Sequence, residues 1–293
     1  MSQTNIPGPI KATDPDSTVP AARRRGSATL LIGCVLAGAV VAVAIVSLFW
    51  VPFAPEDTSG GRLAPPGPPH LLGTDKLGRD LLTQLMIGAR VALTAGIGSV
   101  ALGGILGVAG GLLAGFATRW LDDTISALLD ILIAFPTLLL AMLVVAAREA
   151  SLSSAILAIG LAMSAIVARL TRVLVKRVLA QDYITASRTS GTSWPRVVAE
   201  HVLPNIWPTL LVNLALQLGL AVLAEASLSY LGLGAPPPNA SWGRMLQEAQ
   251  ATVLTAPLGA IAPGVLLVVL VVGVNLVADG LRDVADPTRR RTR

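Results

Sequence analysis

Charge is scarce in this chain: Asp, Glu, Lys and Arg make up 13% of its 293 residues, against 53% hydrophobic residues, and the mean hydropathy is +0.71. Soluble domains carry roughly a quarter of their residues as charges, so a soluble fold is excluded. Cysteine is reduced to Cys34, which rules out an internal disulfide and any multi-cysteine metal centre. Histidine is reduced to His70 and His201, far apart in the chain and placed by the topology below on opposite sides of a membrane, so no histidine metal site is expected. The three lysines, Lys11, Lys76 and Lys176, do not close a G-x-x-x-x-G-K pattern, so the chain has no phosphate-cradling loop of its own. No nucleophile, base and orienting group stand together, and no catalytic residue is assigned.

What is abundant is uninterrupted apolar sequence. A hydrocarbon core of about 30 Å needs about 20 apolar residues in a helix rising 1.5 Å per residue. Six windows meet that need, at 28–50, 91–116, 125–147, 152–170, 206–228 and 257–276. Barrel strands would alternate in polarity over about ten residues, so the expected fold is an all-α integral membrane protein with six transmembrane helices. Sixteen of the 22 Lys and Arg residues fall on one side of this arrangement, leaving only Arg62, Lys76, Arg79, Arg90, Arg148 and Arg244 on the other. Basic residues are retained in the cytoplasm, so both termini are expected there. The net charge of +5 follows from that bias and does not point to nucleic acid.

The domain plan is a disordered cytoplasmic N-terminus (1–27), a first membrane anchor (28–50), and an extracytoplasmic loop with an interfacial helix (51–90). A five-helix core (91–278) contains a cytoplasmic loop at 169–205, and a basic cytoplasmic tail (279–293) follows. The interfacial helix rests on Leu77, Leu81 and Leu85 at i+4 spacing, with Thr74 or Asp75 as its cap. Pro136 should kink the third span locally, and Asp130 should bond a neighbouring helix. In the second span Gly103, Gly107, Gly111 and Gly115 repeat every fourth residue, a face along which two helix backbones can approach closely. The sequence leaves open whether that face packs within the chain or against a partner. In the fifth span Asn213, Gln217 and Glu225 form a drifting polar stripe, which either lines a translocation pathway or bonds neighbouring helices.

The stretch YITASRTSGTSWPRVVAEHVLPN, residues 183–205, is a polar and basic island between apolar spans. Residues 182–190 suit a short helix, Gly191 supplies a positive φ to end it, Ser193 can cap a second helix with Pro195 in its first turn, and Pro204 should stop that helix. By physics alone this hairpin could equally lie on anionic lipid headgroups. Its residues, however, resemble the EAA loop of ATP-binding-cassette (ABC) importer permeases, E-A-A-x3-G-x9-I-x-L-P: Thr185-Ala186-Ser187, then Gly191, then Leu203-Pro204. Thr185 stands where the pattern has its acid, Ser187 where it has the second alanine, and His201 where it has isoleucine. GTDKLGRDLL at 73–82, DILIAFP at 130–136, EASLSYLGLGAPPPNASWGRML at 225–246 and NLVADGLRDVADP at 275–287 add to the likeness. Over about 28–287 the chain is similar to the second permease subunit of dipeptide and oligopeptide importers, and nickel importers share these landmarks.

That resemblance implies a type I importer permease core in a bacterial inner membrane, forming half of a translocation pathway with a second permease subunit. It implies two cytoplasmic ATP-binding subunits, which hold the ATP and Mg2+ that this chain does not bind, and an extracytoplasmic binding protein that delivers a peptide. It assigns contact with the ATPase to Thr185, Ala186, Ser187, Arg188, Gly191, Trp194, Leu203 and Pro204. A self-contained secondary carrier or channel is the alternative from another class, and nickel or metal-chelate import is the alternative within the family.

Overall fold

A computed structural model of the protein describes residues 22–237 and 239–285. Of the stretch expected to be disordered, 1–27, residues 1–21 lie outside the described residues, as do 286–293 of the basic tail, whereas 22–27 are not irregular but form the first turns of a helix. Every regular element among the described residues is a helix. Helix α1 (Ala22–Phe49) leads to an irregular segment, then α2 (Leu81–Phe116), α3 (Arg119–Ala134), α4 (Thr137–Ala146) and α5 (Leu152–Leu179). Two short helices, α6 (Asp182–Thr189) and α7 (Trp194–Val197), precede a π-helical turn (Val198–Val202) and α8 (Leu203–Tyr230). After α9 (Trp242–Ala249), α10 (Leu258–Ala285) closes the described chain. Five stretches are long and apolar enough to cross a bilayer, and α3 with α4 makes a sixth if the bent pair counts as one span.

The third span differs from expectation. Instead of a local kink, α3 and α4 meet at 89°. Pro136 disfavours helical backbone at the residue before it. Phe135 accordingly sits at φ −74°, ψ 132°, and α4 starts afresh after Pro136.

The interfacial helix is also absent as a separate element. The helix begins at Leu81, where Asp80 caps it by accepting from Thr83 N at 2.7 Å. Gly78 has φ +85°, outside right-handed helical space, so residues before it cannot join the helix. Asp75 does not cap a helix but accepts from Leu77 N at 2.7 Å and Arg79 N at 2.9 Å, closing a turn on itself. Thr74 bridges to Asp80 across that turn.

Lipid offers no hydrophobic drive between helices, so small residues that permit close approach carry the packing. A Cβ on Gly103 would stand 2.8 Å from Gly160 O, on Gly107 2.5 Å from Val167 Cβ, on Gly111 2.5 Å from Ala168 O and on Gly115 2.5 Å from Val175 Cγ1. The glycine face therefore lies flush on α5 of the same chain. The partners rise in number with the glycines, so α2 and α5 run parallel, and α3 with α4 must return the chain between them. A second seam joins α1 to α10 through Gly33, Gly273 and Gly280.

Candidate functional site

Helix α6 stands clear of the bundle. Ile184 is its single buried side chain, entering a cluster with Val175 and Val178 of α5, Val197 of α7, and Val202, Ile206 and Leu210 below the turn. Thr185 and Ala186 are exposed, while Ser187 and Arg188 are half-buried. Ser190 N and Gly191 N bond back to Ala186 O and Arg188 O, at 3.1 and 3.0 Å, and Gly191 turns the chain at φ +88° with no atom within 4 Å of where a Cβ would stand. The turn is therefore a backbone requirement rather than a packing one.

The second helix differs from expectation at both ends. Ser193 occupies the N-cap position but its side chain makes no capping bond. The turn is closed instead by Arg188, whose Nη1 donates to Thr192 O and whose guanidinium lies over the Trp194 ring. That ring in turn meets Phe116 edge-on at 5.4 Å. Nor does Pro204 stop the helix. The π-helical turn shifts the register, with Leu203 N bonding to Val198 O, so Pro204 falls in the first turn of α8, where its missing N–H is tolerated. Leu203 is half-buried and Pro204 exposed. α7 thus runs helically into the fifth span, and α6 is hung between two long helices.

The sequence reading missed what ties α6 to that run. Ser187 Oγ lies 3.3 Å from His201 Nε2, Tyr183 stacks edge-on to His201, and Asn205 Nδ2 donates to Tyr183 Oη at 3.3 Å. At the same end Asp122, with its side chain 8% exposed, accepts from both Arg172 and Lys176 and fastens α3 to α5. Asp130 does bond a neighbouring helix, pairing with Arg169 of α5 at 3.0 Å, but on the surface.

The polar stripe of α8 divides. Gln217 is buried and lines a cleft of about 220 Å³ between α4, α5 and α8, with Thr137, Met163 and Ser227 among its walls. Gln217 Oε1 and Asn213 Oδ1 are buried without a hydrogen-bond partner among the described residues. Buried amide oxygens are costly to leave unpaired, so this face is suited to receive a donor. Glu225 is different: it is 1% exposed and its Oε1 accepts from Ser229 Oγ at 2.6 Å.

The opposite end of the bundle is built from residues 51–80 and α9. Trp242 Nε1 donates to Leu85 O at 3.0 Å over Gly88, anchoring α9 on α2. Glu248 accepts from Arg79 Nη2 at 2.6 Å and from Arg244 Nε at 3.0 Å, and Arg79 also bonds Asp75. This network was not read from the sequence, although Arg244 and Glu248 stand at i,i+4 spacing.

The family described as binding-protein-dependent transport system inner membrane component matches residues 107–291. The chain is 35% identical over 258 residues to a dipeptide transport system permease protein of Alkalihalophilus pseudofirmus, covering 88% of this chain and 85% of that one. It is 42% identical over 217 residues to a di/tripeptide transport system permease protein of Pseudomonas aeruginosa, covering 74% and 72%. A glutathione transport system permease protein of Pectobacterium atrosepticum is 38% identical over 261 residues, with 86% of each chain covered. Among solved structures, a methionine ABC transporter in an inward-facing conformation superposes with a TM-score of 0.59 at 22% identity, over 70% of this chain and 98% of that one.

Proposed function

Because the chain belongs to the family of binding-protein-dependent transport system inner membrane components, we propose that it is the permease through which an ATP-driven importer passes di- or oligopeptides. It is a membrane-embedded permease component of an ABC transporter. In the finer reading six spans place both termini in the cytoplasm, and a second permease subunit supplies the other half of the pathway. Two cytoplasmic subunits bind ATP and Mg2+, and an extracytoplasmic binding protein delivers substrate at the α9 end. The relatives named for dipeptides, di/tripeptides and glutathione all handle short peptides by name, which supports peptide as the cargo.

The observation that carries the coupling role is the isolation of α6. A short helix with one buried side chain, joined at one end to α5 and at the other, through the Gly191 turn and α7, to α8, moves as a lever when a docked subunit displaces it. Its exposed Thr185 and Ala186 meet the ATPase in this reading, and Gly191, Arg188 and Trp194 keep its angle. The test is Gly191→Glu in the complete transporter. It leaves insertion and assembly intact and abolishes the rise in ATP turnover on adding substrate-loaded binding protein; normal stimulation and uptake in that variant would overturn the assignment.

A further inference from the structure

Beyond the Gln217 cleft, α8 ends at a second cavity. A pocket of about 210 Å³ lies between Ala150 in the α4–α5 connection, the turn after α8 and the flank of α9, lined by Ser229, Gly232, Gly234, Arg244 and Gln247. Arg244 is the charged residue among its described lining. The flanking Arg148 and Glu149 beside Ala150 are exposed and of opposite sign.

Arg244 is held rigidly. Its backbone N–H donates to the Ser241 Oγ cap at 3.2 Å, and its Nε donates to Glu248 at 3.0 Å. Glu248 is already bonded by Arg79, so it is shared between two guanidiniums. The terminal nitrogens of Arg244 make no hydrogen bond among the described residues, which leaves the forked edge that pairs with carboxylates in a bidentate manner. A pocket of about 210 Å³ has room for one small terminal residue and its carboxylate. The last two turns of α8 also wall the cleft that Gln217 lines.

We propose that this pocket is a subsite for the C-terminal carboxylate of a short peptide, bound by Arg244. The assignment rests on the peptide reading above and names where this subunit first holds its cargo. A free carboxylate is what distinguishes a short peptide from an internal chain segment, so Arg244 selects for cargo with an unblocked end.

The test uses the complete transporter in nanodiscs without binding protein and measures binding of radiolabelled dialanine. Dialanine binds; dialanine amide competes at least tenfold more weakly. Arg244→Gln lowers dialanine affinity at least tenfold, and so does Ala150→Trp, which fills the pocket without touching the Arg244–Glu248 pair. Equal competition by the amide, unchanged affinity in both variants, or no dialanine binding by the unaltered complex overturns the subsite. Weakened binding-protein docking in Arg244→Gln with dialanine affinity retained also overturns it, and assigns Arg244 to an acidic side chain of the docked protein. Dialanine uptake by the unaltered transporter with its binding protein separately tests the peptide reading: uptake without a defect in Arg244→Gln refutes the subsite alone, and absence of uptake refutes the cargo.

Discussion

The guanidinium carbon of Arg188 lies 4.3 Å from the centre of the Trp194 ring. The contact spans the Gly191 turn, and the far edge of Trp194 rests on Phe116 of α2, so one indole sets the angle between α6 and the membrane bundle. A cation over a ring contributes about 0.5–1 kcal/mol at an exposed site and an aromatic pair a similar amount. Trp194→Ala should lose both. Hydrogen exchange across 182–197 should then quicken about tenfold while the α2–α5 core keeps its protection. Unchanged exchange in that segment would show that the backbone turn alone holds α6 in place.

Gly111 and its neighbour Gly110 give a paired test of the α2–α5 seam. A Cβ at Gly111 would stand 2.5 Å from Ala168 O, whereas one at Gly110 would meet only Ala168 Cβ at 3.8 Å. Overpacking of this kind costs about 1–3 kcal/mol. Gly111→Ala should therefore lower the melting temperature of the purified complex, and Gly110→Ala should not. Equal melting of the two would mean that α2 and α5 are not in close contact.

The apolar windows were legible because lipid imposes length and polarity on any span. The turn at Gly191 was legible because few residues other than glycine accept its φ. The α2 glycines announced a close seam, and α5 carries matching small residues at every fourth position, Gly160, Ser164 and Ala168, but because they mix three residue types the repeat went unread. The α1–α10 seam was harder to see: Gly273 and Gly280 are seven residues apart, and Gly33 faces them from the other end of the chain. Pro136 signalled a disturbance, but the right angle also involves ion pairs that tie α3 to α5. Those depend on Asp122 meeting Arg172 and Lys176 fifty or more positions away. In the α6–α7 hairpin the missed residue was His201 on the π-helical turn, which contacts Ser187 and Tyr183 of α6.

Asp122 and Asp130 separate buried from surface pairing on one helix. Asp122 is 8% exposed and serves two cations, while the Asp130–Arg169 pair is 57% and 58% exposed. Removing the buried acceptor strands partly desolvated charge, costing about 1–3 kcal/mol once the partial exposure of Arg172 and Lys176 is allowed for. The surface pair is worth at most about 1 kcal/mol. Asp122→Asn should destabilise the purified complex in thermal melting, and Asp130→Asn should barely shift it. The reverse order would place the anchor of α3 elsewhere.

Glu225 settles whether the polar stripe of α8 acts as one unit. Its carboxylate is enclosed and accepts from Ser229, whereas Gln217 lines a cleft and its Oε1 is buried without a partner among the described residues. Glutamine at position 225 preserves both the shape and an acceptor for Ser229, so Glu225→Gln should sustain uptake within about twofold. Glu225→Ala leaves the Ser229 hydroxyl without its acceptor, a loss of about 1–3 kcal/mol, and should lower melting temperature and yield together. Uptake abolished in Glu225→Gln, with assembly intact, would instead make the negative charge itself part of transport and favour the pathway reading of Glu225.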